Sequence, residues 1–552
     1  MLNKILPIWA KSYQKSWLSG DLIAGLIVTV MLIPQSLAYA MLAGLPPEVG
    51  IYASILPLIA YALFGSSMTL AVGPVAVVSL MTANALQSLA MQGTPEYVAL
   101  AMLLALISGV MLVIFGLLRF GVLSNLLSHP VISGFITGSA LVITIGQIKP
   151  LLGLSFKADG ALHNLTGIVT HLSEANLTTA AIGISALLAL WLSRTLLKGI
   201  IAKLAPMFVV IIATAVTAYY QLAQQVGVKI VGTVPAGLPS LHLAAPTATQ
   251  LSNLWLPALL ISLVGLVESV SVARSLAQKR KQRIDANKEL LGLGAANVAS
   301  ALSGGYPVTG GFARSGVNFS AGANTPLAGV ISAILMSIVL LGMTGWFYHL
   351  PQTVLAATII IAVITLVDFS VLKHAWHFDR TDSFAFLATM IGVLILGVEE
   401  GIVLGVVLSL ASMIFKTSQP HIAVVGRVAG TEHFRNVERH QVETAPHLLA
   451  LRIDENIYFG NAAVVELTIQ EALQKQPLTT NLLLIMSAVN RIDYTGLEML
   501  TDLQDDLKSR GIKLCLAEVK GPVLDALTHS ALPLQLEQCI YLSTHEAFLA
   551  LS

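Results

Sequence analysis

The chain has 552 residues, 55% of them hydrophobic and only 11% charged, with a net charge of +1 and mean hydropathy +0.80. A soluble globular protein carries about a quarter of its residues as charges, so this composition excludes an ordinary soluble enzyme and fits a chain dissolved in a bilayer. The near-zero net charge gives no reason to expect nucleic acid as a partner.

The first twenty residues, opening MLNKILPIWAKSYQKSW, are basic and aromatic, and they read as a cytoplasmic N-terminal segment. No small-residue cleavage site follows a short apolar core, so we expect no cleaved signal peptide. From 21 to 417 the chain is a train of apolar segments. Spans begin near Leu22, Val49, Val98, Val131, Ala180, Met207, Leu254, Leu327, Val354, Phe384 and Ile402. Three shorter segments are interrupted by Gly or Pro: VGPVAVVSLM, LLGLGAANVASAL and GGYPVTGGFARSGVNF. Together they predict about fourteen transmembrane segments. With the N-terminus inside, the charges at Arg119, Arg194, Lys198, Lys203, KRKQR (Lys279 to Arg283), Lys373 and Arg380 fall on the cytoplasmic side. Lys149, Lys157 and Lys229 fall outside. This is the positive-inside pattern, and it predicts a multi-pass protein of the cell's inner membrane with both termini cytoplasmic.

Residues 418–440 read as a linker, and 441–552 as a small α/β domain. HLLALRIDENIYF, NLLLIMSAV and KLCLAEV have strand patterns. AVVELTIQEALQKQ, GLEMLTDLQDDLKSRG and PVLDALTHSAL have helix patterns. Cys515 and Cys539 match no metal spacing and read as core residues.

The membrane part repeats itself. LIPQSLAYA matches LVESVSVAR, pairing Gln35 with Glu268 and Ser36 with Ser269, and VGPVAVV matches GYPVTGG, pairing Pro74-Val75 with Pro307-Val308. Both matches fall at an offset of 233. Seven spans per copy is odd, so the second copy is inverted, and paired broken segments in such repeats mark a binding site. A helix starting at mid-membrane presents unpaired amides and partial positive charge, so two facing starts form an anion pocket. Pro74 is expected in the first turn of one half-helix. The other opens within TGGFARSG, with Arg314 in or beside it and Gly310 and Gly311 permitting close approach. Intramembrane charges are functional by default. Glu268 has two open readings: a proton carrier, or a fixed counter-charge to Arg314 or Arg274. Gln35, Ser36 and Tyr39 are expected to face the same region.

These residues carry a likeness. DLIAGLIVTVMLIPQSLAYAMLAGLPPEVGIYASILPLIAYALFGSSMTLAVGPVAVVSLM resembles the signature of the sulfate permease (SulP) family. LVGLVESVSVARSLAQ and GGYPVTGGFARSGVNFSAGANTPLAG resemble its eighth and tenth spans, and the tail resembles a STAS domain. The resemblance implies a seven-plus-seven inverted-repeat fold of core and gate, shared with nucleobase transporters, moving elevator-fashion as a homodimer. It implies an anion site at Gln35, Tyr39, Pro74, Val75, Gly311, Phe312, Ala313 and Arg314, with Glu268 at the proton-coupling position. Members often have Ser where Gly311 and Ala313 stand, so coordination here leans towards backbone amides. IDYTGLEML resembles the phosphorylated motif of anti-sigma antagonists, with Thr495 as the hydroxyl residue; an ordinary helix cap is the alternative.

The expected activity is therefore proton-coupled symport of a small inorganic oxyanion, sulfate first. Bicarbonate, dicarboxylate or chloride transport or exchange is the alternative, and a membrane anion sensor signalling through the tail to a cytosolic partner is a different class. No nucleophile–base pair, Walker loop or metal cluster is evident, so neither an enzyme nor a cofactor or metal is expected.

Overall fold

The computed structural model describes residues 7–125, 128–156, 160–197, 199–237, 247–536 and 539–552. Lys157, Lys198 and the first six residues of the N-terminal segment lie outside them. The chain divides into two units, Met1–Ser409 and Leu410–Ser552.

The first unit is helical. Its main helices are α1 (Leu18–Leu42), α2 (Pro47–Tyr52), α3 (Leu56–Phe64), α4 (Ala76–Leu86), α5 (Pro95–Leu117), α6 (His129–Leu152), α7 (Leu177–Leu196) and α8 (Gly199–Tyr219). There follow α9 (Ala248–Lys279), α10 (Ala286–Leu302), α11 (Phe312–Ser320), α12 (Leu327–Gly342), α13 (Gln352–Val363), α14 (Ser370–Phe378), α15 (Arg380–Ile395) and α16 (Val398–Ser418). Among the described residues eight stretches are long and apolar enough to cross a bilayer alone: Lys15–Leu42, Pro47–Phe64, Pro95–Leu117, His129–Leu152, Leu177–Leu196, Ala248–Lys279, Gln352–Phe378 and Val398–Ser418. Reaching fourteen requires counting the shorter α4, α8, α10, α11, α12 and α15 as spans.

Lipid tails give helices no hydrophobic reason to associate, so small residues and polar ties do the work. Gly109 of α5 and Gly294 of α10 show the first device. A Cβ on Gly109 would lie 2.7 Å from the Val298 amide nitrogen, and one on Gly294 2.8 Å from the Gly109 carbonyl. Glu289 shows the second. Its fully buried carboxylate accepts from Tyr61 Oη (2.7 Å), Ser66 N (2.9 Å), Ser66 Oγ (2.6 Å) and Ser67 N (2.8 Å), fastening α10 to the end of α3. Asp21 is its counterpart on α1, accepting from Asn324 N, Thr325 N and Thr325 Oγ1 at 2.6–3.0 Å.

Two short strands interrupt the helices. β1 (Val72–Gly73) and β2 (Thr309–Gly310) pair antiparallel, Val72 with Gly310 and Gly73 with Thr309. Extended backbone at this depth survives only when buried in protein, and all four residues are buried.

The second unit holds a six-stranded sheet in the order β4-β3-β5-β6-β7-β8. β5 (Leu448–Ile453), β6 (Asn481–Ile485), β7 (Lys513–Ala517) and β8 (Ile540–Tyr541) run parallel. α17 (Ala462–Lys475) and α18 (Tyr494–Ser509) pack Val465, Ile469, Leu500 and Leu507 against Leu449, Leu451, Leu482 and Leu484. The stretch 418–440, read as a linker, is different. It supplies β3 (Ile422–Arg427) and β4 (Phe434–Asn436), with β3 antiparallel to β5. Its apolar residues Ala423, Val425 and Phe434 join the core on the second face of the sheet, beside Cys515, Cys539 and Phe548. The charges gathered in TEHFRNVERH give the stretch the look of a connector. Both cysteines are buried and unpaired.

Replacing Glu289 by Ala strands the buried Ser67 amide and Tyr61 phenol, each worth about 1–3 kcal/mol, and frees the half-buried Ser66 amide. A detergent-solubilised Glu289→Ala chain should therefore melt well below wild type. Glu289→Gln, which still accepts from both serine amides, should lose no more than about 2 kcal/mol.

Candidate functional site

The β1–β2 pair sets the site, because a helix starts directly after each strand. α4 begins at Ala76 behind Val75, and α11 at Phe312 behind Gly311. Neither N-cap side chain bonds its own first turn. The same is true of α6, α12 and α13, whereas α5, α7, α9, α10 and α15 are capped by Thr94, Asn176, Thr247, Asp285 and Asp379; what sets α4 and α11 apart is that both start on one hollow. The two half-helices thus leave first-turn amides without side-chain partners, and those amides carry the positive end of each helix dipole.

Both starts open on one hollow of about 30 Å³. It is lined by Gln35 and Tyr39 of α1, Pro74, Val75 and Ala76, Glu268 of α9, Gly311, Phe312, Ala313 and Arg314, and Ala362, Val363 and Leu366 from the end of α13. The volume has room for a compact inorganic ion.

Arg314, 3% exposed, crosses from α11 to the opposite strand. Its Nε donates to the Ala71 carbonyl (3.2 Å) and Nη1 to the Pro74 carbonyl (3.3 Å). Nη2 is buried with no hydrogen-bond partner. A guanidinium carries five donors, so its fixed bonds orient it and leave one nitrogen for a guest. Gly73 makes room for it. Its φ is +155°, and a Cβ there would stand 3.2 Å from both Nη1 and Nη2. A Cβ on Gly311 would lie 3.4 Å from Nη2. Among the described residues no hydrogen bond or ion pair reaches the Glu268 carboxylate, so the fixed-pair reading with Arg314 is not realised as a contact in this structure.

Some expectations change. Pro74 stands two residues before α4, outside its first turn; there it ends β1, and its carbonyl accepts from Arg314. Ser36 is fully buried and turned away from the hollow, 2.8 Å from Ser54 Oγ. The half-helix starts are 236 residues apart (312 − 76), three more than the repeat offset. Pro307-Val308 therefore do not occupy the place of Pro74-Val75. Instead Asn297 holds both the amide and the carbonyl of Val308 (2.9 and 2.8 Å) before β2 begins. The sequence reading also missed the scaffold. Ser315 Oγ accepts from Ala71 N (3.0 Å), Asn318 Nδ2 donates to Thr69 O (2.9 Å), and Ser269 Oγ accepts from Gly310 N (2.9 Å). The available signal was polar side chains recurring in apolar segments. In the second unit Thr495 is exposed at the second position of α18. The cap is Asp493, which accepts from Gly496 N and Phe459 N, both at 2.9 Å.

Comparison with known proteins gives the lineage. The sulfate permease family model matches residues 18–389, and the STAS domain model matches residues 439–547. A probable sulfate transporter 4.2 of Arabidopsis thaliana is 36% identical, over 96% of this chain and 81% of its own length. High affinity sulfate transporter 1 of Stylosanthes hamata is 32% identical, over 99% and 86%. The fold matches the murine Solute Carrier 26 family member A9 anion transporter in its inward-facing state, with TM-score 0.90 at 22% identity over 100% of this chain and 94% of that one. It also matches the transmembrane domain of the cyanobacterial bicarbonate transporter BicA, with TM-score 0.62 at 23% identity over 72% and 98%. On these matches the chain belongs to the sulfate permease family and is a membrane anion transporter with a STAS domain.

Proposed function

We propose that the protein is a secondary active transporter that carries a small inorganic oxyanion, sulfate first, together with a proton. The observation carrying this reading is the unpartnered Nη2 of Arg314 between two uncapped half-helix starts. Two helix ends contribute roughly +0.5 each, which with the guanidinium makes a site on the order of +2. Ionised Glu268 lowers that to about +1. A dianion is therefore matched only when Glu268 is protonated, and a monoanion when it is not. Proton and dianion would bind as a pair.

The membrane potential gives this pairing a use. Importing a dianion against 100 mV, inside negative, is uphill by roughly 4.6 kcal/mol, and one accompanying proton halves it. Translocation then needs the α4/α11 core to slide along the apolar wall of Ala362, Val363 and Leu366, which offers the anion no competing donor side chain. The charge pattern supports cytoplasmic termini in an inner membrane, and family resemblance supports a homodimer. The missing hydroxyls at Gly311 and Ala313 support a second reading, bicarbonate or chloride as cargo, because fewer side-chain donors favour a monoanion.

In proteoliposomes, labelled sulfate uptake should rise with an inward proton gradient. Glu268→Gln should abolish that dependence while leaving sulfate counterflow; uptake that still follows the gradient would remove Glu268 from coupling. Chloride or bicarbonate carried by the same preparation should respond little to the gradient.

Arg314→Ala removes a charge-assisted contact worth about 1.5–3 kcal/mol, so the KM for sulfate should rise roughly 10- to 150-fold, and anion binding should suffer more than the melting temperature, which also falls because the bonds to Ala71 and Pro74 are lost. Gly73→Ala, by crowding both Nη1 and Nη2, should raise KM in the same direction. An unchanged KM in Gly73→Ala would show that the guanidinium position does not matter.

A further inference from the structure

The segment before α1 lies across the loops that hold the half-helices. Trp9, Tyr13 and Trp17 recur every four residues, with ring centroids 6.4 and 6.0 Å apart in edge-to-face contact. Trp9 Nε1 donates to the Ala62 carbonyl at the end of α3 (2.6 Å). Beneath the two indoles is an open cleft of about 330 Å³, lined by Trp9, Trp17, Met68, Arg280, Gln282 and Asn324. A second cleft of about 190 Å³ shares Met68 and Gln282 and adds Ser66, Ser67 and Arg283. The Arg280 guanidinium stacks 4.6 Å above the Phe319 ring, and Lys279 Nζ lies 5.9 Å from the same ring. Lys11, Lys15, Lys281 and Arg283 are exposed, each within two residues of a residue lining one of the clefts.

The nearby acid offsets only part of this charge: Asp21 faces Arg280 electrostatically, while Lys279, Lys281 and Arg283 stand beside Arg280 in sequence. Asp21 is already bonded to Asn324 N, Thr325 N, Thr325 Oγ1 and Tyr13 Oη. Indoles prefer the headgroup level of a bilayer, and basic residues there attract anionic lipid. A cleft with aromatic walls and a cationic floor fits an amphiphile whose phosphate meets Arg280 and Gln282 while its glycerol and chains lie along Trp9 and Trp17. A free phosphate would have no use for the indoles.

We infer that this cleft is a binding site for one anionic phospholipid, a phosphatidylglycerol-type phosphodiester. Its floor is the transport machinery's own anchorage. Met68 lies four residues before β1, which leads into α4, and Asn324 lies four residues after the end of α11. A lipid seated here clips together the far ends of both half-helix supports, so its occupancy would bear on core movement.

The test uses the full-length chain in detergent, titrated with phosphatidylglycerol or phosphatidylcholine and read by native mass spectrometry. Wild type should retain one phosphatidylglycerol in preference to phosphatidylcholine, and Arg280→Gln should retain it roughly fivefold less well. Millimolar inorganic phosphate should not displace it. Equal retention of the two lipids, undiminished retention by Arg280→Gln, or displacement by inorganic phosphate would each overturn the site. If Arg280→Gln fails to fold, a photoactivatable phosphatidylglycerol on the wild-type chain decides: labelling of residues 9–17 or of Met68 supports the site, and labelling only elsewhere refutes it.

Discussion

A backbone amide that reaches mid-membrane must find a partner within the protein, because lipid offers none. Every part of this site follows from that constraint. β1 and β2 satisfy each other across the break in the helices, and Ser315, Asn318, Ser269 and Asn297 satisfy the backbone that flanks them. Once those ties are made, the donors left over at the site are the first-turn amides of α4 and α11 and one nitrogen of Arg314. A small anion completes the accounting.

The same economy explains why the carboxylates differ. Glu289 and Asp21 are surrounded by donors and act as fasteners. Glu268 lines the hollow without such donors, in a place where charge is expensive unless something compensates it. On the proposed function, this acid with no fixed partner, beside a pocket whose charge balance changes as a guest arrives, exchanges a proton with each guest. Location alone would not separate these three residues; their donor environment does.

Much of this was legible beforehand. Length and hydropathy marked the spans. Gly and Pro interruptions marked the broken segments, and the short apolar runs NLLLIMSAV and KLCLAEV, alternating with helix patterns, marked strands of the second unit. What the sequence hid has physical causes. The Pro-Val dipeptides align by composition, but helix starts are set by where β1 and β2 cross, and that crossing shifts the register by three residues. Ser36 shares an α1 stretch with Gln35 and Tyr39, yet a hydroxyl partner on Ser54 turns it away. β3 is followed by the charged stretch TEHFRNVERH, and its partner β5 lies beyond that stretch, so nothing local announced their pairing. The residues scaffolding the site bond to backbone groups distant in sequence, as Ser315 does to Ala71, and no local pattern announces such a tie.

The central claim is that two helix starts and Arg314 jointly hold the anion. A density map of the full chain saturated with sulfate, repeated with the heavier selenate, reads this directly. The account predicts a single tetrahedral feature within about 3 Å of first-turn amides of both α4 and α11 and of Arg314 Nη2. A feature bound elsewhere, or one touching a single half-helix with Nη2 still unpartnered, would contradict it.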